Sequence, residues 1–249
     1  MPLYEYGRMT WPEVEALDRR QTIVLLPMGS VEQHGYHGPL TTDALVSLRL
    51  CRPLADAVPE MTWLEMPPIT YGYAKHSAIF PGTVSIEAGT LTLLVRDVLR
   101  GMLRQGFRKV VLLNSHYENA EFAIDGAAQA LEEVPDARAL LIMWWEFVPD
   151  DVIREIFGSD WRGWLYEHAG LTETSLMLHC APELVRTDLL REDTSVPSVH
   201  RFRVLPWDRA NFAQSGSTMG PRGCSAERGA QMLAHFVIGA AKFVREHLG

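Results

Sequence analysis

Residues 108–134 read RKVVLLNSHYENAEFAIDGAAQALEEV. The run at 109–114 is apolar almost throughout, as expected of a strand buried on both faces. Residues 118–133 place Ala120, Ile124, Ala127, Ala128 and Leu131 at helical spacing. A strand that hands over to a helix predicts a strand–helix–strand unit with parallel pairing. The handover itself is unusual. Asn114-Ser115-His116-Tyr117-Glu118-Asn119 puts an imidazole, a phenol, a carboxylate and two amides where a turn ordinarily takes small residues.

The same alternation extends in both directions from this stretch. Strands are predicted over 22–29, over 62–69 where two prolines end the run, and over 137–145. Helices are predicted over 43–58, 89–107, 172–180 and 224–248. The first carries Leu45, Leu48, Cys51 and Ala55 on one face, with Pro53 expected to kink or interrupt it. The second carries Leu93, Leu94, Val98 and Leu103 near one stripe and Gly106 as its stop. Continuous apolar strands separated by helices define an α/β protein whose mainly parallel sheet is covered on both faces. Sites in such sheets collect outside the carboxyl ends of the strands.

The 249 residues suffice for one large domain, 1–249, and no linker, repeat or low-complexity tract divides them. A net charge of −8 argues against nucleic acid or an anionic membrane as partner, since both require clustered Lys and Arg. No basic leader precedes an apolar stretch at the start, and no apolar run is long enough to span a bilayer. Cys51, Cys180 and Cys224 lie far apart, which is neither a disulfide framework nor a metal knuckle. A cytoplasmic, reducing setting is expected.

Chemistry-bearing residues gather at two predicted strand ends. Glu32 and His34 stand two apart after the first strand, so in extended chain both point the same way. Asp43 follows where the next helix begins. His116 and Glu118 repeat the two-residue spacing after the strand at 109–114. A single Glu-x-His is ordinarily a solvated pair; two such pairs at two strand ends point to metal binding. Mixed imidazole and carboxylate donors suit zinc or manganese, and a carboxylate able to bridge suits a pair of ions. A third patch holds His168 and Glu173, flanked by Thr172 and Thr174. Its plain reading is a polar helix start. Its functional reading makes His168 a proton carrier, with Glu173 orienting it or reaching a metal. Trp144, Trp145 and Trp164 are of a kind more often found in cores, but beside a polar strand end they could form a flat slot for a planar substrate. His37 reads as a spare histidine. His76, His179, His200, His235 and His247 read as structural or surface residues.

The stretches LLPMGSVEQHGYHGPLTTDA, FPGTVS, LLNSHYEN, EHAGLTETSLML and CSAERG, in this order, resemble the creatininase family, the metal-dependent creatinine amidohydrolases and their relatives. The resemblance runs from about residue 9 into the C-terminal helix. It implies a three-layer α/β/α sandwich, a homohexamer, and two divalent ions per subunit, zinc and/or manganese. Glu32, Asp43 and His116 would hold one ion; His34, Asp43 and Glu118 would hold the other, with Asp43 bridging. Metal-bound hydroxide would add to the carbonyl of a small cyclic amide, creatinine, and open it to creatine. His168 would carry the proton to the leaving nitrogen, with Glu118 counted beside it as catalytic. Tyr117, Trp145 and Trp164 match residues that enclose the substrate, and Asn114 and Asn119 would brace the turn. Two departures concern specificity. The stretch YGYAKHSAIFPGT is shorter than the family's glycine-rich loop, leaving Ser77 to supply the substrate contact, and Leu165 replaces an aspartate. They keep open another cyclic amide, or a linear amide or formamide, as substrate. A metal-stabilised binding protein without catalysis is the remaining alternative.

Overall fold

A computed structural model describes residues 3–164, 167–191, 205–217, 220 and 222–249. Leu165 and His200 lie outside the described residues. Five strands, β1 (Leu3–Glu5), β2 (Ile23–Met28), β3 (Trp63–Glu65), β4 (Lys109–Asn114) and β5 (Arg138–Met143), form one parallel sheet in the order β1-β3-β2-β4-β5. Among the described residues seven α-helices accompany them: α1 (Trp11–Glu15), α2 (Thr42–Ala57), α3 (Ala88–Arg104), α4 (Ala120–Leu131), α5 (Asp150–Phe157), α6 (Leu171–Cys180) and α7 (Ala226–Leu248).

Strand alternation decides which helix covers which face. Ile23, Leu25, Trp63, Val111, Leu113 and Ile142 point to a layer built from α2, α5, α6 and α7. Val24, Leu26, Leu64, Val110 and Leu112 point to the layer of α1, α3 and α4. The result is the three-layer α/β/α sandwich. From β2 the chain crosses through α2 to β3 on one side, then through α3 to β4 on the other. Right-handed crossovers in opposite directions put α2 and α3 on opposite faces and open a crevice between the carboxyl ends of β2 and β4. The register pairs Met28 with Asn114, so both strands deliver their following residues at the same level.

Three expectations are corrected. Pro53 lies inside α2 without ending it. It removes one hydrogen bond near the helix end, while Leu50, Cys51 and Leu54 stay fully buried around it. The buried face of α3 is Leu91, Thr92, Val95, Leu99, Met102 and Leu103, which leaves Leu93 and Leu94 exposed. In α4 the buried residues are Ala123, Gly126, Ala127 and Ala130, and Ile124 is exposed.

Candidate metal centre and substrate cavity

The crevice is closed at its base by a tight approach of backbone. A Cβ at Gly29 would lie 2.2 Å from the Ala44 nitrogen, so only glycine lets the end of β2 meet the start of α2. This contact sets Asp43, buried in the first turn of α2, against Ser30 and the residues after β2. Across the crevice, Asn114 and Asn119 brace the other strand end. Asn114 Nδ2 donates to the His116 carbonyl at 2.6 Å, and Asn119 Nδ2 donates to the Gly29 carbonyl at 2.9 Å.

Glu32, His34, Asp43 and His116 are all buried, and they meet there. Asp43 uses its two oxygens in two directions. Oδ1 lies 3.0 Å from His34 Nε2, and Oδ2 lies 3.0 Å from His116 Nδ1. The Ser30 hydroxyl donates to Oδ2 at 2.6 Å and fixes the carboxylate between the two rings. Glu32 Oε2 is 2.9 Å from His116 Nδ1, and Glu173 Oε2 is 3.6 Å from His34 Nε2. Three groups of potential ligands result: Glu32, Asp43 and His116; His34, Asp43 and Glu173; and Glu32, His34 and His168.

The tautomers test whether cations fit. His34 Nδ1 lies 3.1 Å from the Glu32 carbonyl, and His116 Nε2 lies 2.9 Å from the Tyr73 carbonyl. A carbonyl only accepts, so each of these nitrogens carries the proton. In the neutral rings His34 Nε2 and His116 Nδ1 are then lone pairs aimed at carboxylate oxygens. His34 Nε2 is a buried atom without a hydrogen-bond partner. Lone pairs about 3 Å from carboxylates are unfavourable unless positive charge lies between them, and that spacing is the one ligands adopt around a shared ion. The donor set fits divalent metal.

Without metal the same pressure falls on protons. Burial opposes charge on His34, but Asp43, with Glu173 and Glu32 beyond it, lifts its pKa to about 10. Burial likewise opposes charge on His116, and Glu32 and Asp43 raise it well above the ordinary range. Burial would raise Glu32, yet His168 and His116 outweigh it and hold the carboxyl at about 2. Asp43 falls below the usual carboxylate range as His34 and His116 overcome its burial. Burial dominates at Glu173, lifting it to about 8, and burial lowers His168.

A cavity of about 510 Å³ opens over this cluster. Glu32, His116, His168 and Glu173 reach it from below, and Tyr117, Trp144, Trp145, Trp164 and Trp207 line it. Trp144 holds both neighbouring indoles edge-on, with centroids 5.7 Å to Trp145 and 5.8 Å to Trp164. Tyr117 lies 6.4 Å from Trp145 and is largely exposed.

The site residues expected from sequence thus fall into two sets. Glu32, His34, Asp43, His116 and His168 come together, and Tyr117, Trp145 and Trp164 line the cavity above them. Glu118 does not join His34 and Asp43; Glu173 takes that place. The single 3₁₀ turn Tyr117–Asn119 swings Glu118 to the cavity wall, where its Oε2 accepts from the His76 backbone N–H at 3.3 Å. Ser77 is fully buried and is not among the cavity-lining residues.

Sequence reading passed over Ser30, Gln33, Ser115, Glu167 and Trp207, and it took His76 for a structural or surface residue. His76 lines the cavity, packed 4.6 Å from Trp207. Glu167 carries a legible signal, a carboxylate ahead of a helix start. Its Oε1 accepts from the Thr172 N–H at 2.8 Å and the Thr172 hydroxyl at 2.7 Å, capping α6, while burial raises its pKa.

Comparison with known proteins agrees with this architecture. A family described as creatininase, creatinine amidohydrolase, matches residues 7–244. The creatinine amidohydrolase of Pseudomonas putida is 34% identical, with 96% of this chain and 95% of that one covered. The mycofactocin precursor peptide peptidase of Mycobacterium ulcerans is 32% identical over 92% of this chain and 82% of its own. A solved creatininase in its manganese form superposes with a TM-score of 0.90 at 34% identity, covering 98% of each chain. The chain belongs to the creatininase family and is a hydrolase acting on C–N amide bonds. Membership in a hydrolase family sets aside the non-catalytic alternative. Among the described residues no helix is long and apolar enough to cross a membrane.

Proposed function

We propose that this protein opens creatinine to creatine with two divalent ions, zinc or manganese. The observation that carries the reading is Asp43, whose two oxygens face lone pairs of two different histidines. Glu32, Asp43 and His116 would hold one ion, and His34, Asp43 and Glu173 the other. Bound there, the ions supply a water acidified toward neutrality and a polarised amide carbonyl.

The rest falls to the chain's own side chains. Trp145, Trp164 and Tyr117 clasp a planar ring and exclude water above the cluster. Glu118, on the cavity wall and outside both ligand groups, takes the proton of the attacking water. The carbonyl carbon gains hydroxyl as its bond to the ring nitrogen breaks. His168 delivers a proton to that nitrogen, because an amide anion is a very poor leaving group. The exposed apolar residues Leu93, Leu94 and Ile124 support assembly as a homo-oligomer, a hexamer by family resemblance. A small-molecule substrate and a cytoplasmic setting complete the reading.

One observation favours a second substrate. Ser77 is buried away from the cavity, so a contact expected for creatinine is missing and another cyclic amide or a formamide fits as well. The test is metal-loaded enzyme on a panel of creatinine, hydantoins and formamides. Creatinine is expected to be opened; no turnover above buffer alongside good turnover of another amide would replace creatinine by that compound.

A further inference from the structure

Gln33 lies between Glu32 and His34 but belongs to none of the ligand groups. Its side chain is buried and every polar atom of it is engaged. Oε1 accepts from the Gly35 backbone N–H at 3.0 Å, and Nε2 donates to the Gly216 carbonyl at 2.8 Å. A backbone N–H only donates and a carbonyl only accepts, so these two contacts fix which end of the amide is nitrogen. The second hydrogen on Nε2 then has a single direction left, toward His168 Nε2 at 2.8 Å.

We infer that Gln33 is a positioning residue that sets the tautomer of His168, closing its Nε2 to metal and leaving its mobile proton on Nδ1. An amide N–H aimed at Nε2 requires a lone pair there, and a lone pair engaged by that hydrogen is not available to an ion. This separates the three potential ligand groups chemically. His34 and His116 offer open lone pairs because a carbonyl occupies the far side of each ring. His168 offers none, although its Nε2 lies 3.7 Å from Glu32 and its ring centroid 4.8 Å from that of His34. Gln33 therefore keeps a nearby histidine out of the ligand set and leaves Nδ1 as the nitrogen that carries the ring's proton.

The lock is built from both sides. Gly216 has φ +91°, and a Cβ there would lie 2.2 Å from Gln33 Oε1, so no other residue fits without moving the amide. One residue on, the Ser217 hydroxyl donates to the His168 carbonyl at 3.0 Å. The same segment thus holds both the ring's partner and the ring's own backbone.

The inference rests on His168 as the proton carrier of the proposed reaction, and its test separates the two. Zinc-loaded protein labelled with ¹⁵N-histidine is measured by long-range ¹H–¹⁵N NMR, with His168→Ala identifying the His168 signals. The neutral ring is expected as the Nδ1–H tautomer in the native chain, and Gln33→Leu is expected to shift it toward Nε2–H. A native Nε2–H tautomer, or one unmoved in Gln33→Leu, overturns the inference. This readout needs no substrate, so an enzyme inert toward creatinine would count against the proposed substrate alone. In kinetics, Gln33→Leu should lower kcat roughly ten- to hundredfold with KM nearly constant and metal content intact. Gly216→Ala, which displaces the amide without removing it, should do the same. Added to His168→Ala, Gln33→Leu should cost less than about twofold more; a full second loss would show that Gln33 acts elsewhere.

Discussion

The base of the crevice and the wall of the cavity are built by opposite rules. At the base, Ser30, Glu32, His34, Asp43 and His116 are buried, and each ring is held by a backbone carbonyl on its far side. On the wall, Tyr117 is largely exposed, and Trp145 and Trp164 rest on other aromatic rings. At the base the far-side carbonyls fix which nitrogen of His34 and of His116 faces the carboxylates, so the potential ligands are oriented before any ion arrives. The wall contributes area and flatness, which many planar amides satisfy. On the proposed reading the base sets the chemistry and the wall the substrate, so mutations on the two sides should separate metal content from KM.

Asp43→Ala is the severest way to break the base. It removes the bridge from both ligand groups and leaves His34 and His116 facing one carboxylate each. Metal analysis should find both ions lost or weakened, and activity should fall by more than about a thousandfold. Retention of two ions would show that Asp43 does not bridge. His168→Ala tests the step that follows. Both ions should remain, while kcat falls roughly a hundredfold to ten-thousandfold. Glu118→Gln separates a ligand from a wall residue. Ions are expected to stay and kcat to fall roughly a hundredfold, whereas loss of one ion would return Glu118 to the ligand set. Trp164→Ala belongs wholly to the wall. It should raise KM about tenfold and broaden the range of amides accepted, with metal content unchanged.

These contrasts also show what a sequence carries and what it does not. The strand at 109–114 has the same bounds in the structure, and the residues after β2 and β4 were legible because the register pairs Met28 with Asn114 and brings both ends level. The helices were legible but their faces were not. A Cβ at Gly126 would lie 2.5 Å from the Thr92 carbonyl, so α3 and α4 pack too closely for large side chains. In α4 small residues turn inward there and Ile124 turns out, while α3 turns Leu91, Val95 and Leu99 inward and leaves Leu93 and Leu94 exposed. That Glu173 rather than Glu118 lies beside His34 has a local reason. Two-residue spacing places side chains on one side only in extended chain, and the 3₁₀ turn at Tyr117–Asn119 rotates each residue by about 120°. Glu173 reaches His34 only because α6 docks beside α2, a tertiary fact with no local signature. Gln33 carried no signal of its own between Glu32 and His34, since an amide gains meaning only once Gly35, Gly216 and His168 surround it.

The smallest expected effect lies just behind the base, at His37. Its Nε2 meets the Thr174 hydroxyl at 2.8 Å, and burial, with His34 nearby, lowers its pKa to about 4. The folded chain therefore keeps this ring neutral well below the ordinary value of about 6.5, whereas the unfolded chain protonates it there. Between pH 6.5 and about 4 the unfolded state binds more protons, so stability falls as pH falls, by up to about 3 kcal/mol from this group. His37→Gln removes the titration while keeping a polar contact for Thr174. Metal loss in acid affects both proteins alike, so the informative quantity is the difference in Tm between them. The native chain's advantage should be constant above pH 6.5 and shrink steadily toward pH 4. A difference that stays flat across that window would mean that His37 titrates alike in both states, and that burial behind the metal cluster leaves its protonation unchanged.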